Sequence, residues 1–114
     1  MRRVVQGAAG VALMVALASC AADAGEPPQE TPAAVGTVAS VVLGSETVSL
    51  KFTPDEGYEY FDGTTFVVDD TVPVTGAVDN AHVISAGDRI EVWTDTCAES
   101  FPVQCVVTAI DVAG

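Results

Sequence analysis

Short hydrophobic runs, separated by glycine, proline and aspartate, follow one another along the chain after Val35. Residues 46–52 (ETVSLKF) alternate between polar and apolar positions, which is the period of a strand with one buried face. Residues 35–43 (VGTVASVVL) form another β-branched run, and the intervening Gly44-Ser45 predicts a two-residue turn. These two runs are therefore expected to form a β-hairpin.

The rest of the chain predicts further strands of the same kind. We expect long strands at 64–70, 88–95 and 102–113, and short strands at 72–75 and 82–84. No stretch after the N-terminal segment sustains a helical period. The pattern therefore predicts an all-β fold, a small OB-like antiparallel barrel of five to six strands, because closure removes exposed strand edges. A small β-sandwich is the alternative.

The N-terminal segment differs from the rest of the chain in its composition. Residues 1–19 carry two arginines and then an apolar run, which is typical of an export signal and is shorter than the roughly 20 apolar residues of a membrane-spanning helix. Leu17-Ala18-Ser19-Cys20 resembles the lipobox of bacterial lipoproteins, in which small residues precede the cysteine that is acylated. We therefore expect cleavage between Ser19 and Cys20 and lipidation of the Cys20 thiol. An ordinary secretory signal is the alternative.

Acidic residues dominate the chain that remains after cleavage. It keeps all sixteen acidic residues and only Lys51 and Arg89 as bases, a formal charge of −14. This charge repels phosphate backbones, so nucleic acid is not expected as a partner despite the OB-like fold. Residues 20–34 are rich in proline and acid and lack large apolar side chains, which predicts a disordered tether. Residues 35–114 are expected to form one small domain.

The last third of the chain resembles a known family. Residues 86–110 (AGDRIEVWTDTCAESFPVQCVVTAI) are similar to the YobA-like family of small exported bacterial domains of unknown function. The matching residues are Gly87, Val92, Trp93, Glu99, Ser100, Phe101, Pro102 and Gln104, with Ile90 in place of the usual valine. The resemblance extends weakly over 35–112. It implies an OB-like barrel on an exported or anchored protein, and it implies no activity.

Two cysteines in this segment depart from the family pattern. Cys97 and Cys105 lie on either side of Phe101 at equal spacing. An antiparallel strand pair joined by this turn brings the two Cβ atoms within bridging range, and export permits oxidation, so we expect a disulfide. A redox pair would have closer spacing beside a helix, and a metal site would need soft ligands beyond His82.

Residues 96–104 occupy the loop that many OB folds use for ligands, together with the first hairpin loop, here 43–46. The candidate ligand-binding residues are Trp93, Glu99, Ser100 and Gln104. A structural alternative exists for each main candidate: Glu99 caps the turn, Gln104 pairs with a neighbouring strand, and Trp93 covers one end of the barrel.

The sequence contains no nucleophile elbow, phosphate loop or zinc-protease motif, and it predicts no catalytic residue, cofactor or metal ion. We therefore expect a non-enzymatic binding or accessory module on the outer side of a bacterial membrane, held there by its lipid anchor. Its partner would be an envelope protein, a peptide or a glycan. One alternative is an envelope enzyme with a carboxylate pair of Glu99 and an acid from 55–62. Another is a calcium-responsive surface protein that uses the acids at 55–62 or 69–79.

Overall fold

The computed structural model describes residues 26–113, so the predicted signal at 1–19 and the lipidation site Cys20 lie outside the described residues. The strands within that range are β1 (Ala34–Leu43), β2 (Thr47–Pro54), β3 (Thr65–Asp69), β4 (Val74–Gly76), β5 (Arg89–Ala98) and β6 (Gln104–Val112). Single 3-10 turns lie at Glu59–Phe61 and Ala81–Val83. The described residues contain no helix that is both long and apolar enough to cross a bilayer. The predicted all-β fold is confirmed.

The six strands of the described range form one sheet in the order β3-β2-β1-β5-β6-β4. The pairs are antiparallel except β4–β6, which is parallel, so the sheet is mixed rather than wholly antiparallel as predicted. After β3 the chain makes a tight turn and then forms β4, which runs in the same direction as β3. Strand β6, the neighbour of β4, also runs in this direction. Pro73 lacks an N–H but its carbonyl still accepts from the N–H of Ile110 at 3.1 Å.

The sheet curls without closing into a complete barrel. β3 pairs with β2 on one side only, and its other edge lies beside the first half of β6 without a hydrogen-bonded ladder. The Thr64 hydroxyl donates to the Val103 carbonyl at 3.0 Å and joins the two sides where β3 and β6 approach each other. The arrangement is a curled sheet with one open seam, which is consistent with the OB-like prediction and with the β-sandwich alternative.

A bulge divides β1 into two halves that differ in the strands with which they pair. Its first half pairs with β5, whereas its second half pairs only with β2, and the register against β2 shifts between Val38 and Ser40. Bulges bend the strand and increase its twist, which is how a small sheet turns back on itself. We call the end of the sheet where β1, β3 and β6 begin and β2 and β5 end the lower end, and the opposite end the upper end.

The core lies inside the curl and is built from the inward positions of every strand. The most deeply buried large side chains are Phe66, Leu50, Ile90, Ile110, Val38, Val48, Val68, Val92 and Val112. Phe66 stacks edge-on against Phe52 with ring centroids 5.1 Å apart. The alternation seen in 46–52 is therefore the buried face of β2.

Two local predictions are wrong. The tip of the first hairpin is Ser45-Glu46 rather than Gly44-Ser45, because the Gly44 N–H donates to the Thr47 carbonyl at 2.8 Å and closes the turn there. The strand expected at 82–84 is instead the 3-10 turn Ala81–Val83. The Asn80 side chain accepts from the His82 N–H at 2.8 Å, and such local capping competes with strand pairing.

The parallel β4–β6 contact requires a glycine at position 76. Gly76 and Gly57 share nearly the same backbone conformation, with φ of 96° and 97°, but a Cβ on Gly76 would overlap the Val112 backbone, whereas a Cβ on Gly57 would meet nothing. We expect Gly57→Ala to cost about 1–2 kcal/mol of unfolding free energy from backbone strain alone. Gly76→Ala should cost clearly more. Urea unfolding of both variants measures the difference, and equal losses would contradict the close approach of β4 to β6.

Candidate functional site

Two connections and one terminal segment lie toward the lower end of the sheet. The N-terminal segment 30–33 runs along β5, and the β2–β3 connection 55–64 contacts the β5–β6 turn 99–103. The candidate ligand-binding residues Glu99 and Ser100 lie in the last of these, and Gln104 follows it as the first residue of β6. These three candidate residues therefore lie at the lower end of the sheet.

A disulfide fastens the base of the β5–β6 turn. Cys97 and Cys105 are paired, and they stand opposite each other in the β5–β6 ladder with Cα atoms 4.0 Å apart. The predicted pairing is confirmed. Within the turn, the Ser100 hydroxyl donates to the Pro102 carbonyl at 2.9 Å, and the Phe101–Pro102 peptide bond is cis. We call residues 97–105 the stapled turn.

The stapled turn packs on the β2–β3 connection and not on the first hairpin. The Tyr60 hydroxyl donates to the Glu99 carboxylate at 2.9 Å, and this acceptor, with its negative charge, raises the pKa of the Tyr60 phenol. The turn therefore contacts the β2–β3 connection and not the loop 43–46, with which it was predicted to share a site. The reason is the antiparallel register of β1 and β5, which aligns Ala34 with Val92 and sends Leu43 and Ala98 to opposite ends of the sheet.

Phe101 at the tip of the stapled turn is 99% exposed. Behind it, a shallow groove of about 320 Å³ follows the open seam between β3 and β6. The groove is lined by Gly63, Thr65, Val67, Pro102, Val103, Gln104 and Cys105. A large apolar side chain on a fastened turn beside a groove is a feature of contact surfaces, because the backbone that carries the ring does not have to be ordered when a partner covers it.

The open seam also exposes backbone groups of β3. The Phe52 N–H donates to the Thr64 carbonyl. Because hydrogen-bonded positions alternate along an antiparallel pair, Phe66 and Val68 of β3 also point their N–H and C=O groups to β2. The groups of Thr65 and Val67 then point to the seam, where the described residues form no ladder. The seam therefore holds polar backbone atoms as well as apolar side chains.

Trp93 does not belong to an open binding surface. It is only 5% exposed, and its indole N–H donates to the Glu30 carbonyl at 2.8 Å. The Ala33 N–H donates to the Val92 carbonyl beside it, so the end of the predicted tether lies along β5. The prediction of a disordered segment to residue 34 is wrong for this end, because an indole at the surface gains both a hydrogen bond and apolar contact from the chain that crosses it.

Two of the four acids of the β2–β3 connection, Asp55 and Glu59, already have partners. Asp55 forms a two-point ion pair with Arg89, whose guanidinium lowers the pKa of the carboxyl, and the Asp55 carboxylate raises the pKa of Arg89 in turn. Glu59 accepts from the Gly57 N–H, which lowers the pKa of Glu59. Within residues 26–113, Glu99 does not line the groove along the seam, the groove at the upper end or the small concavity beside Arg89 and Glu91. The predicted carboxylate pair thus gains no geometric support.

The acids at 69–79 line a second groove at the upper end, of about 340 Å³, together with His82. Asp69 accepts from the Thr71 N–H and hydroxyl, which lowers its pKa. Within residues 26–113, no group of three or more acidic, histidine or cysteine side chains is arranged to hold a metal ion. The calcium hypothesis therefore has no arrangement of ligands to rest on in this range.

In comparisons of the chain with known proteins, no family model, no curated protein and no solved structure matches it. The resemblance to the YobA-like family stays a prediction.

Sequence reasoning named the β5–β6 turn as the candidate site but missed two structural features of this turn. Phe101 was used only for the family resemblance and as the midpoint between the cysteines, although an aromatic residue flanked by serine and proline in a turn has few apolar neighbours to cover it. The contact of Tyr60 with Glu99 spans 39 residues of sequence, and no local pattern indicates it.

Loss of the disulfide should loosen the stapled turn and reduce stability. In the chain-entropy model, a loop this short contributes about 2–3 kcal/mol, so a Cys97→Ala/Cys105→Ala variant should lose that much unfolding free energy in urea. Reductant should lower the stability of the wild-type protein to a similar level and leave the variant unchanged. Non-reducing mass spectrometry that finds two free thiols in the native protein would contradict the pairing.

Proposed function

We propose that this protein is a membrane-anchored bacterial lipoprotein whose small OB-like domain is a non-enzymatic binding module of the cell envelope. The lipobox at Leu17 to Cys20 supports the anchor, and the stapled turn supports the binding role. The observation that carries the second part is Phe101, which is almost fully exposed on a turn that a disulfide and two hydrogen bonds to neighbouring segments hold in place.

The turn is built for contact rather than for chemistry. An exposed phenylalanine offers a large apolar surface but no nucleophile and no group for proton transfer. Of the two polar residues at the tip, Ser100 already donates to the Pro102 carbonyl and Glu99 accepts from Tyr60. An exposed apolar side chain on an ordered turn with polar neighbours resembles the anchor of a protein-binding surface, where a few aromatic residues supply most of the affinity.

The enzyme hypothesis has a weaker basis. A glycosidase-type site needs two carboxyl groups about 5–10 Å apart across a cleft. Asp55 and Glu59 are engaged by Arg89 and Gly57 respectively, and both are at the surface. No specific observation in the described range therefore favours catalysis over binding.

Labelled fatty acid tests the anchor. Cells that express the protein and are fed labelled palmitate should incorporate label into it, and the labelled protein should fractionate with the membrane. Cys20→Ala should abolish the label, because no other residue satisfies the lipobox.

The matched control is Cys97→Ala/Cys105→Ala, which removes the other two cysteines and should retain the label. Label that survives in Cys20→Ala, or an unlabelled wild-type protein left in the cytosol, would contradict the lipoprotein assignment.

A further inference from the structure

The chain enters the domain at the same end as the stapled turn. β1 begins at the lower end, and the last contacts before it run from Ala33 at Val92 to Glu30 at Trp93, further along β5 toward the turn. Nine residues, 21 to 29, separate the expected lipid anchor at Cys20 from Glu30. Since an extended chain spans at most about 3.6 Å per residue, the lower end stays within roughly 35 Å of the lipid.

The lower end is strongly acidic. Its exposed carboxylates are Glu30, Glu56, Glu59, Asp62 and Glu99. Arg89, the first residue of β5, is paired with Asp55, and Lys51 is the other cation of the described range, on the exposed side of β2 opposite Thr65. Phe101 therefore stands at the membrane-facing end of the domain in a field of negative charge.

This charge decides between the surfaces that Phe101 could meet. A bilayer carries anionic lipids whose surface potential repels acidic segments, so direct insertion of the turn is disfavoured. A second copy of this chain is disfavoured for the same reason, because each mature chain has a formal charge of −14. A basic protein surface next to the anchor has the complementary charge.

We propose that the lower end docks on a basic, extracytoplasmic surface of an integral membrane protein, with Phe101 seated in an apolar pocket of that partner. The inference rests on the proposed function for its lipid anchor and goes beyond it by naming the docking face and the class of partner. The anchor confines the domain to the plane in which such partners lie, which raises the effective concentration for a weak contact. The staple fixes the turn before contact, so docking does not have to order it.

Site-specific photo-crosslinking in intact cells tests the docking face. The photoreactive amino acid p-benzoylphenylalanine replaces Phe101 in the full, lipidated chain. The matched control places it at Leu43, an exposed apolar residue at the upper end. We expect one discrete adduct from position 101, with the crosslinked peptide in an extracytoplasmic loop of an integral membrane protein, and at least tenfold less of it from position 43.

Charge variants separate docking from chance proximity. Glu56→Gln/Asp62→Asn at the lower end should reduce the adduct from position 101 several-fold, whereas Asp70→Asn/Asp79→Asn at the upper end should leave it unchanged. Equal effects of the two pairs would overturn the electrostatic argument.

The remaining outcomes are distinguishable from failure of the anchor. If the fatty-acid label is present and position 101 gives no adduct, an adduct with lipid, or an adduct with a second copy of this chain, the docking inference is wrong while the lipoprotein assignment stands. If the label is absent, the assignment itself fails. Flotation of the unacylated domain with phosphatidylglycerol-containing vesicles gives a further check, since flotation that depends on Phe101 would make the bilayer the partner.

Discussion

The pairing of β1 with both β2 and β5 determines how the rest of the molecule is arranged. Its antiparallel register aligns Gly36 with Pro54 on one side and Ala34 with Val92 on the other. Because of these two alignments, the chain enters the sheet at the same end where β2 and β5 leave it. The β2–β3 connection and the stapled turn therefore meet, the N-terminal segment runs along β5 toward the turn, and the first hairpin lies at the other end. Changing this register by one residue would move the core face of β1 to the solvent.

Close backbone approach makes this register specific. A Cβ on Gly36 would overlap the Thr53 carbonyl and the Phe52 ring, so only glycine allows β1 and β2 to cross so tightly there. Two residues further on, the bulge after Val38 frees the second half of β1 from β5. Together these features let a short chain curl around one core without a long connection.

The electrostatics of the lower end have a definite pH dependence. The pKa of Tyr60 is raised by Glu99, so the stabilisation that this contact supplies is present below the ordinary tyrosine pKa and is lost as pH rises through the raised value. The pKa of Asp55 is lowered by Arg89, so that contribution is present above the ordinary aspartate pKa and is lost as pH falls through the lowered value. Both groups are at the surface, and solvent screens both contacts, which makes them orienting contacts more than sources of stability.

The sequence predicted the features that depend on local pattern. The alternation in 46–52 and the hydrophobic run from Ile90 marked true strands, and the placing of Cys97 and Cys105 about one turn predicted the bond between them. It could not predict the parallel partner of β4, because three residues carry no signal of direction. It also could not predict that the N-terminal segment covers Trp93. The composition of that segment is typical of a disordered tether, and the hydrogen bond from Trp93 to Glu30 spans 63 residues. The turn 96–104 contacts the β2–β3 connection rather than the first hairpin, since contacts at the end of a sheet follow from strand register rather than from composition.

The central claim is that the N-terminal segment lies on β5 over Trp93 and so directs the chain out of the lower end. Trp93 is the single tryptophan of the chain, so its fluorescence reports this contact alone. Acrylamide is the suitable quencher because it is uncharged and an acidic protein does not repel it. In an unacylated chain that begins at residue 21, we predict weak quenching. In a chain that begins at Ala34, with its β-sheet circular dichroism unchanged, we predict quenching several-fold stronger. Equal quenching of the two chains would contradict the account.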